Sequence, residues 1–210
     1  LALKIAGYSE NEKSMIKAKD FILSKGGIEK TRVFTKIWLS LVDQWKWEGV
    51  PIMPAELILL PNWSPINIYE FSSWARSTIV PLLILMDKKP VRPLPENLRV
   101  DELFFDGLDN VDYSVKSPSI QMGWENFFYA TDQVLRLLDK LPIKPTRDLA
   151  LKKSEEWILQ HQEADGSWGG IQPPWVYSIM ALYTAGYGLD HPVIDKALQG
   201  FKAFEIEDQF

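Results

Sequence analysis

The chain has 210 residues, of which 46% are hydrophobic, and it carries a formal net charge of −5. This length is sufficient for one domain with a sizeable core. Lysine and arginine are interspersed among the acids, so no basic stripe favours nucleic acid as a partner. The chain has no cysteine, which excludes disulfides and thiolate metal sites, and its two histidines offer little for a zinc centre. We therefore predict no metal site and no nucleic-acid partner.

No signal peptide or membrane-spanning segment is visible in these 210 residues. Its longest apolar run, from Thr78 to Met86, has nine residues, whereas a spanning helix needs about 20. The chain begins at Leu1 within a helical pattern and without a methionine. We expect it to be a piece of a longer protein.

Helical periodicity begins near the amino terminus. Ser9 and Glu12 have capping-box spacing, and apolar residues then recur at helical intervals until Gly26 and Gly27 stop the run. Thr31 is predicted to cap the next helix. The apolar face of that helix consists of Val33, Phe34, Ile37, Trp38, Leu41, Val42 and Trp45.

The rest of the chain also favours helices, and no segment shows convincing strand alternation. A proline-rich connector, Pro51 to Pro65, leads to a run from Ile68 to Met86 that is apolar nearly all round, which predicts a helix buried on every side despite Pro81. A long irregular segment follows at about 90–123. Further helices are predicted for Trp124 to Leu141, Leu149 to His161, Pro174 to Ala185 and Pro192 to Phe204. The fold class is therefore predicted to be all-α.

A short internal sequence match favours a repeat architecture. The stretch ALKIAGY at Ala2 to Tyr8 matches ALYTAGY at Ala181 to Tyr187, and the same offset pairs Ala18 with Ala197. Units of an apolar helix, a Gly-Tyr turn and an amphipathic helix bury their faces by lying side by side. This pattern predicts an α/α barrel with apolar helices inside and amphipathic helices outside.

One loop, QEADGSWGGIQPPW from Gln162 to Trp175, contains a glutamine and a tryptophan that a turn alone does not require. Asp165-Gly166 is a turn signal, and two successive prolines suit the first turn of a helix. Gln162 is predicted to stack on the Trp168 indole while its amide bonds to free backbone groups at helix ends. The loop would then staple neighbouring helices together.

This Q-x-x-x-G-x-W pattern at 162–168 resembles the QW motif of the triterpene cyclases, and GGIQPPW resembles their squalene-hopene cyclase branch. Further segments share the resemblance in order: Gly26-Gly27, RVFTKIW at Arg32 to Trp38, W-x-x-V-P-x-x-P at Trp47 to Pro54, NIYEFSSWAR at Asn67 to Arg76, and P-x-R-P-L-P-E near Pro90. The ordered set covers most of the chain and is more specific than a single QW motif.

The resemblance implies an incomplete α/α barrel spanning residues 1–210, from an enzyme that protonates squalene and cyclises it through carbocations without a cofactor. The family's proton donor is the central aspartate of a D-x-D-D motif, which this chain does not contain. The implied catalytic class is an isomerase, the implied partners are squalene or a related polyprenoid and the remainder of the cyclase chain, and a homodimer is left open. We expect the chain alone to be inactive.

The resemblance also assigns roles to individual residues. The positions matching the substrate cavity are Phe34, Trp74 and Ile171. Those matching the constriction of the entrance channel are Phe71 and Ile79. Those matching the site of the terminating water are Arg32, Trp38, Gln172, Pro173 and Tyr177. Aromatic faces stabilise desolvated cations by about 0.5 to 2 kcal/mol each, and an ordered water needs two to four polar partners.

Other interpretations remain for these residues and for the chain. Aromatic side chains at helical spacing are usually core residues, and Arg32 also fits a helix-end ion pair. The acids Glu125, Asp132 and Asp139 recur every seven residues and predict a solvated face. A noncatalytic helical-repeat interaction domain and a cyclase of C35 terpenes are the alternatives, whereas a prenyltransferase needs a zinc-binding cysteine that is missing. A glycosidase would need two opposed carboxylates that nothing in the sequence places.

The resemblance finally implies monotopic attachment to the cytoplasmic side of a membrane, since squalene is almost insoluble in water. The aromatics predicted to form the apolar contact surface are Phe104, Phe105, Trp124, Phe127 and Phe128. Packing of these aromatics beneath the long irregular segment is the alternative. Nearby acids argue against a basic anchor, so attachment should tolerate salt.

Overall fold

A computed structural model describes residues 1–64, 66–114, 124–140 and 144–204, apart from five side chains, those of Trp124, Glu125, Phe127, Phe128 and Leu138. Over these residues the chain forms α-helices and short 3₁₀ turns, with no β-strand, which confirms the all-α prediction. The helices are α1 (Ala2–Ile5), α2 (Lys13–Ser24), α3 (Val33–Leu41), α4 (Ser73–Lys88), α5 (Trp124–Asp139), α6 (Arg147–Gln160), α7 (Gln172–Thr184) and α8 (Pro192–Lys202). None of the described helices is long and apolar enough to cross a membrane.

The two predicted amino-terminal caps differ from the structure. The Glu12 carboxylate accepts a hydrogen bond from the Ser9 amide at 3.2 Å, as in a capping box, but α2 begins only at Lys13. Thr31 does not cap α3, because its hydroxyl donates to the Ile28 carbonyl at 2.7 Å and Arg32 occupies the cap position instead. A hydroxyl next to a 3₁₀ turn has a local carbonyl to bond, and that bond competes with capping.

The predicted helix from Ile68 to Met86 begins later than expected. A 3₁₀ turn, Ile68–Glu70, precedes α4, which starts at Ser73. Burial on every side holds only for the later part, where Val80 to Leu85 are almost fully buried. Pro81 cannot donate a backbone hydrogen bond, and α4 continues through it.

The described chain divides into two compact units. The first comprises Leu1–Pro51 and Pro90–Gln133, and the second comprises Ile52–Lys89 and Val134–Phe210. The prediction of one partial barrel over 1–210 stays a prediction. In the irregular segment at 90–123, the described part contains three 3₁₀ turns, Glu96–Leu98, Asp101–Leu103 and Leu108–Asn110, and residues 115–123 lie outside the described ranges.

The first unit is built around Trp45. Its indole stacks on Phe104 with ring centroids 6.3 Å apart, and Tyr113 packs at 4.8 Å. Phe104 is only 5% exposed, so its assignment to a membrane-contact surface is wrong: it packs against the core, whereas Phe105 is 62% exposed. The buried Gln44 joins the irregular segment to this core, since its side-chain oxygen accepts from the Val100 amide at 2.8 Å.

Helix α1 in the first unit is held by a buried lysine. The Lys4 ammonium pairs with the carboxylates of Glu10 and Glu102 and donates to the Arg99 carbonyl. Burial alone would lower the pKa of Lys4, but the hydrogen bonds to both glutamates outweigh it and raise that pKa. These contacts tie the first residues of the chain to residues more than 90 positions later.

In the second unit, α4 packs most extensively on α7, and α6 packs on α4 and on the 3₁₀ turn Ala55–Leu59. The almost fully buried side chains include Leu82 to Leu85 of α4, Ile158 of α6 and Leu182 of α7. Each such apolar side chain contributes about 1.5 to 3 kcal/mol relative to exposure. Helices α4 and α7 are therefore the inner elements of this unit.

An arginine joins four elements at the carboxyl-terminal end of α4. Arg147 at the start of α6 bonds with Glu56 at 2.8 Å and with Asp87, and it lies 3.7 Å from Asp139 of α5. The hydrogen bond from Lys144 lowers the pKa of Asp139. This ionic cluster fixes α6 against α4 and the preceding connector.

Helix α5 does not present the predicted acidic face to solvent. Asp132 is only 6% exposed, and Asp139 is half-buried in ion pairs, so the prediction of a solvated face is wrong for both. The Glu125 side chain lies outside the described ones. Val134 and Leu137, by contrast, are 54% and 66% exposed. The described part of α5 thus buries Asp132 and exposes Val134 and Leu137, while Leu135 is half-buried.

Candidate functional site

The loop between α6 and α7 staples three elements of the second unit. The Gln162 amide donates to the carbonyls of Val193 in α8 at 2.7 Å and of Gly166 at 3.2 Å. The Trp168 indole, which is fully buried, donates to the Ile158 carbonyl near the end of α6 at 2.8 Å. The Ile158 carbonyl at the helix end thus accepts from the tryptophan, and from the His161 amide at 3.3 Å, rather than from the glutamine. Stacking of the Gln162 amide on the indole stays a prediction.

This loop and α8 approach so closely that a side chain would not fit at Gly166 of the loop or at Gly200 of the helix. A Cβ on Gly166 would lie 2.5 Å from the Lys196 carbonyl oxygen. A Cβ on Gly200 would collide with the Asp165 carbonyl oxygen and lie 2.6 Å from the Trp175 ring. The Trp175 indole also donates to the Ala197 carbonyl at 3.2 Å. The first half of the loop, around Asp165 and Gly166, is therefore held against α8.

The second half of the loop lies against the start of α4. A Cβ on Gly169 would lie 3.6 Å from the Cα of Trp74 and 3.8 Å from the Ser77 side chain. Gly169 and Gly170 both have positive φ, at 71° and 62°, a conformation that glycine adopts without strain. The chain then enters α7 at Gln172, so the amino-terminal ends of α4 and α7 lie side by side.

At the start of α7 the predicted water-site residues differ in exposure. Gln172 and Pro173 are exposed, and Ile171 immediately before them is 41% exposed. Tyr177 is 1% exposed, so its phenol belongs to the interior of the unit. The neighbouring Ser178 is also fully buried, and its hydroxyl has no protein partner. Helix α7 thus begins with exposed residues, Gln172 and Pro173, and buries the polar side chains of Tyr177 and Ser178 about one turn later.

The start of α4 displays large apolar side chains. Trp74 is 58% exposed, Phe71 is 38% exposed, and Ile79 is half-buried two turns further along the chain. A turn upstream is stiffened by the fully buried Asn67, whose amide donates to the Ser64 carbonyl at 2.8 Å and whose oxygen accepts from the Tyr69 amide at 2.8 Å. The chain before Phe71 is therefore well anchored.

The remaining predicted positions belong to α3 of the first unit. Arg32 is the exposed amino-terminal cap residue, and Phe34 and Trp38 are 51% and 39% exposed. Ile37 and Leu41, which share the apolar face of α3 with them, are buried in the unit's core. The predicted broad apolar face of α3 is thus only partly buried: Ile37 and Leu41 pack, whereas Phe34 and Trp38 remain partly exposed.

The structure brings together some of the predicted residues. Within the second unit, Trp74 lies beside the loop that carries Ile171 and Gln172, whereas Tyr177 is buried further along α7. Sequence reasoning missed Glu163, whose carboxylate accepts from the Gly169 amide at 2.9 Å. The missed signal was an acidic residue directly after the QW glutamine and just before a glycine-rich turn.

This group of residues can bind an apolar ligand and orient a polar one. Exposed aromatic and aliphatic side chains lie next to the exposed primary amide of Gln172, while Pro173 and Pro174 in the same helical turn have no N–H to donate. Among the described residues, no group of three or more histidines or acids is placed to hold a metal ion. An exposed apolar surface beside a neutral amide can contact a hydrocarbon and orient a water molecule.

Comparison with known proteins gives a consistent result along the chain. Residues 1–209 match the family described as the squalene-hopene cyclase N-terminal domain. The squalene–hopene cyclase of Alicyclobacillus acidocaldarius is 43% identical over 207 residues, which cover 99% of this chain and 32% of that protein. The squalene hopane cyclase of Aspergillus fumigatus is 38% identical over 214 residues, covering 99% of this chain and 29% of that protein.

A third relative has a different product in its name. The dammaradiene synthase of Dryopteris crassirhizoma is 36% identical over 208 residues, covering 99% of this chain and 30% of that protein. The chain thus spans about a third of the length of these curated relatives. The helical structure and the match over residues 1–209 agree, and the chain belongs to the squalene-hopene cyclase N-terminal domain family.

Proposed function

We propose that this chain forms part of an enzyme that cyclises squalene, or a related linear polyprenoid, to a pentacyclic triterpene. The observation that carries the proposal is the exposed apolar group at the amino-terminal ends of α4 and α7, where Trp74 adjoins the loop leading to Gln172. An extended hydrocarbon can fold only against a surface that is apolar and free of strong nucleophiles. Membership of the squalene-hopene cyclase N-terminal domain family favours a cyclase over the alternative of a noncatalytic interaction domain.

Within that enzyme, the chain would contribute surface rather than the initiating acid. The sequence has no D-x-D-D motif, so protonation of the alkene depends on residues outside this chain. Trp74 of the second unit would stabilise cationic intermediates through its aromatic face, and Ile171 would exclude water by apolar packing; the family resemblance proposes Phe34 of the first unit for the same aromatic role. Phe71 and Ile79 would narrow the entrance.

The last step would depend on the start of α7. A water that accepts the final proton gives an alkene, and a water that adds to the cation gives an alcohol. The Gln172 amide can orient that water without competing as a strong nucleophile, and it is the family resemblance alone that proposes Pro173 and Tyr177 of the second unit, and Arg32 and Trp38 of the first, for the same role. The product ratio is therefore the most direct readout of this proposal.

The complete protein incubated with squalene tests the activity, with hydrocarbon products separated by mass. We expect pentacyclic products. Recovery of unchanged squalene from folded protein would contradict the cyclase proposal and leave the interaction-domain alternative, and conversion of only a C35 substrate would identify that branch.

Gln172→Ala tests the terminating site. We expect the ratio of alkene to alcohol to change while the melting temperature stays near that of the wild type, because Gln172 is exposed. Gln160→Ala, an exposed glutamine at the end of α6, is the matched control and should leave the ratio unchanged. A lower melting temperature with an unchanged ratio would favour a purely structural role.

We also propose that the enzyme attaches to a membrane surface through apolar contacts. The support is the exposure of Val134 and Leu137 on α5, where Asp132 is buried, together with the exposed Phe105. Burial of apolar surface in the bilayer interface does not depend on charge, so attachment should resist salt.

Liposome flotation at low and high salt tests this attachment. The wild-type complete protein should float at both, and a triple variant of Trp124, Phe127 and Phe128 to serine should float less. Phe21→Ser, at an exposed phenylalanine of α2, is the control. Release of the wild type by salt, or equal flotation of all proteins, would contradict the proposal.

A further inference from the structure

Glu163 is the most highly connected residue of the loop between α6 and α7. Its carboxylate accepts from the Gly169 amide at 2.9 Å through one oxygen and from the Ser167 hydroxyl at 3.4 Å through the other. Its backbone amide donates to the Ser167 carbonyl at 2.9 Å. Its carbonyl accepts from the Gly166 amide at 3.1 Å and from the Lys196 ammonium at 3.0 Å. One residue thus bridges the turn, α8 and the glycine pair.

The glycine pair is the part of the loop that most needs such a bridge. Gly169 and Gly170 are both left-handed, and glycine has the widest range of backbone conformations, so the pair does not fix the direction of the chain by itself. Gly169 lies against Trp74 of α4, and Gln172 follows three residues later. A change at the Gly169 amide therefore alters the position of Gln172 relative to Trp74.

We propose that Glu163 is a positioning residue that sets the product outcome of the cyclisation, by holding the Gly169 amide and so the placement of Ile171 and Gln172 beside Trp74. This inference rests on the proposed function of Gln172. Glu163 does not contact the reacting atoms in this scheme. It acts through the backbone of the loop.

A carboxylate suits this role better than other side chains. It is an acceptor with two oxygens, so it can bind the Gly169 amide and the Ser167 hydroxyl together, and hydrogen bonds to a charged acceptor are stronger than neutral ones. Glutamine at this position would keep one acceptor at the same reach. Aspartate would keep the charge but lose one methylene of reach, and alanine would remove both acceptors.

The experiment compares these three variants in the complete enzyme acting on squalene. We expect Glu163→Ala to change the alkene-to-alcohol ratio by a factor on the order of ten, as the loss of one charge-assisted hydrogen bond predicts. Glu163→Gln should restore most of the wild-type ratio, and Glu163→Asp should resemble alanine. Glu156→Ala, at an exposed acid of α6, is the matched control and should retain the wild-type ratio.

Rescue by glutamine but not by aspartate is the signature of positioning, because a role in net charge would give the opposite order. A changed melting temperature with an unchanged ratio in the alanine variant would overturn the inference. If the alanine variant does not fold, the other two variants test the inference: a near wild-type product ratio for Glu163→Gln with a changed ratio for Glu163→Asp supports it, and the reverse overturns it. An enzyme in which Gln172→Ala changes the ratio and no Glu163 variant does would refute this inference alone. A wild type that does not cyclise squalene would refute the proposed function as well.

Discussion

The two matching sequences at the ends of α1 and α7 form the same turn. In the first, the Gly7 amide donates to the Lys4 carbonyl and the Tyr8 amide to the Leu3 carbonyl, both at 3.0 Å. In the second, Gly186 donates to Tyr183 and Tyr187 to Leu182, both at 3.1 Å. The glycines have φ of 89° and 104°, the left-handed values of a helix carboxyl cap. Similar local sequence, with the same Ala-Gly-Tyr ending, has therefore given the same hydrogen-bonded turn.

The helices that follow these turns differ in burial. At the same offset α2 begins at Lys13 and α8 begins at Pro192. Ile194 and Ala197 of α8 are fully buried, whereas α2 has no buried residue, although Ala18 corresponds to Ala197. A repeat in sequence thus fixed the helix start but not the packing.

The difference comes from what each preceding helix offers. Helix α7 carries Trp175, which packs on α8 with the Phe201 ring 4.5 Å away. Helix α1 is a single turn and is anchored by the ion pairs of Lys4. One turn of the repeat is therefore held by apolar packing and the other by charge, and the two should respond differently to mutation and to pH.

The largest expected effect is loss of the packed anchor. Trp168→Ala should destabilise the region containing α6, α7 and α8 by about 3 to 5 kcal/mol, because it removes a fully buried indole and leaves the Ile158 carbonyl with only the longer bond from the His161 amide at 3.3 Å. Urea unfolding monitored by hydrogen exchange in α7 and α8 measures this. Trp63→Ala, at an 86% exposed tryptophan, is the control and should change stability by less than about 0.5 kcal/mol.

A matched pair of leucine substitutions tests the comparison directly. Ala197→Leu should cost about 1 to 3 kcal/mol, because α8 has no space for three more carbon atoms at a fully buried position. Ala18→Leu, at the equivalent exposed position of α2, should be within about 0.5 kcal/mol of the wild type. Equal costs in thermal unfolding would show that α2 is packed in the complete protein in the same way as α8.

The sequence was sufficient to predict helices wherever periodicity was bounded by glycine or proline. Helix α8 begins at Pro192 as predicted, and α7 begins at Gln172, two residues before the predicted start. The failures occurred where a local alternative or a distant partner decided the outcome. Thr31 bonds a nearby carbonyl instead of capping α3, and the burial of Lys4 depends on Arg99 and Glu102, which no local pattern indicates.

The candidate site was predictable in its residue types but not in its connections. Apolar residues and a glutamine around a glycine-rich loop indicated Trp74, Ile171 and Gln172, and the contact between Gly169 and α4 links them. The role of the Glu163 carboxylate was not visible, because its acceptor geometry depends on the left-handed glycines folding back on it. The burial of Asp132 was missed because a heptad of acids alone does not reveal which face packs.

A smaller effect is expected from the charged anchor of α1. Lys4→Met retains much of the side-chain volume but removes the pairs with Glu10 and Glu102 and the bond to the Arg99 carbonyl. We expect a loss of about 1 to 3 kcal/mol in the local stability of α1, since one carbonyl and one half-buried carboxylate lose their partner. Hydrogen exchange of the amides in 5–8 measures it. Lys13→Met, at an exposed lysine of α2, should have no effect there.

The smallest effect should appear in acid, at a single pair of amides. The hydrogen bond from Lys4 lowers the pKa of Glu10 from the ordinary value of 4.5, so the stabilisation from this pair is fully present above pH 4.5 and is lost as the pH falls through the lowered pKa. The Tyr8 amide, which depends on α1 remaining in place, should then lose protection relative to the Tyr187 amide, whose identical hydrogen bond is supported by the packing of α7. Exchange protection factors measured on the complete protein between pH 6 and pH 3 give both values in one experiment, and Glu10→Gln should remove most of the pH dependence at Tyr8. Parallel loss at both tyrosines would mean that the charged anchor contributes nothing specific to α1, and the comparison between the two turns would then rest on burial alone.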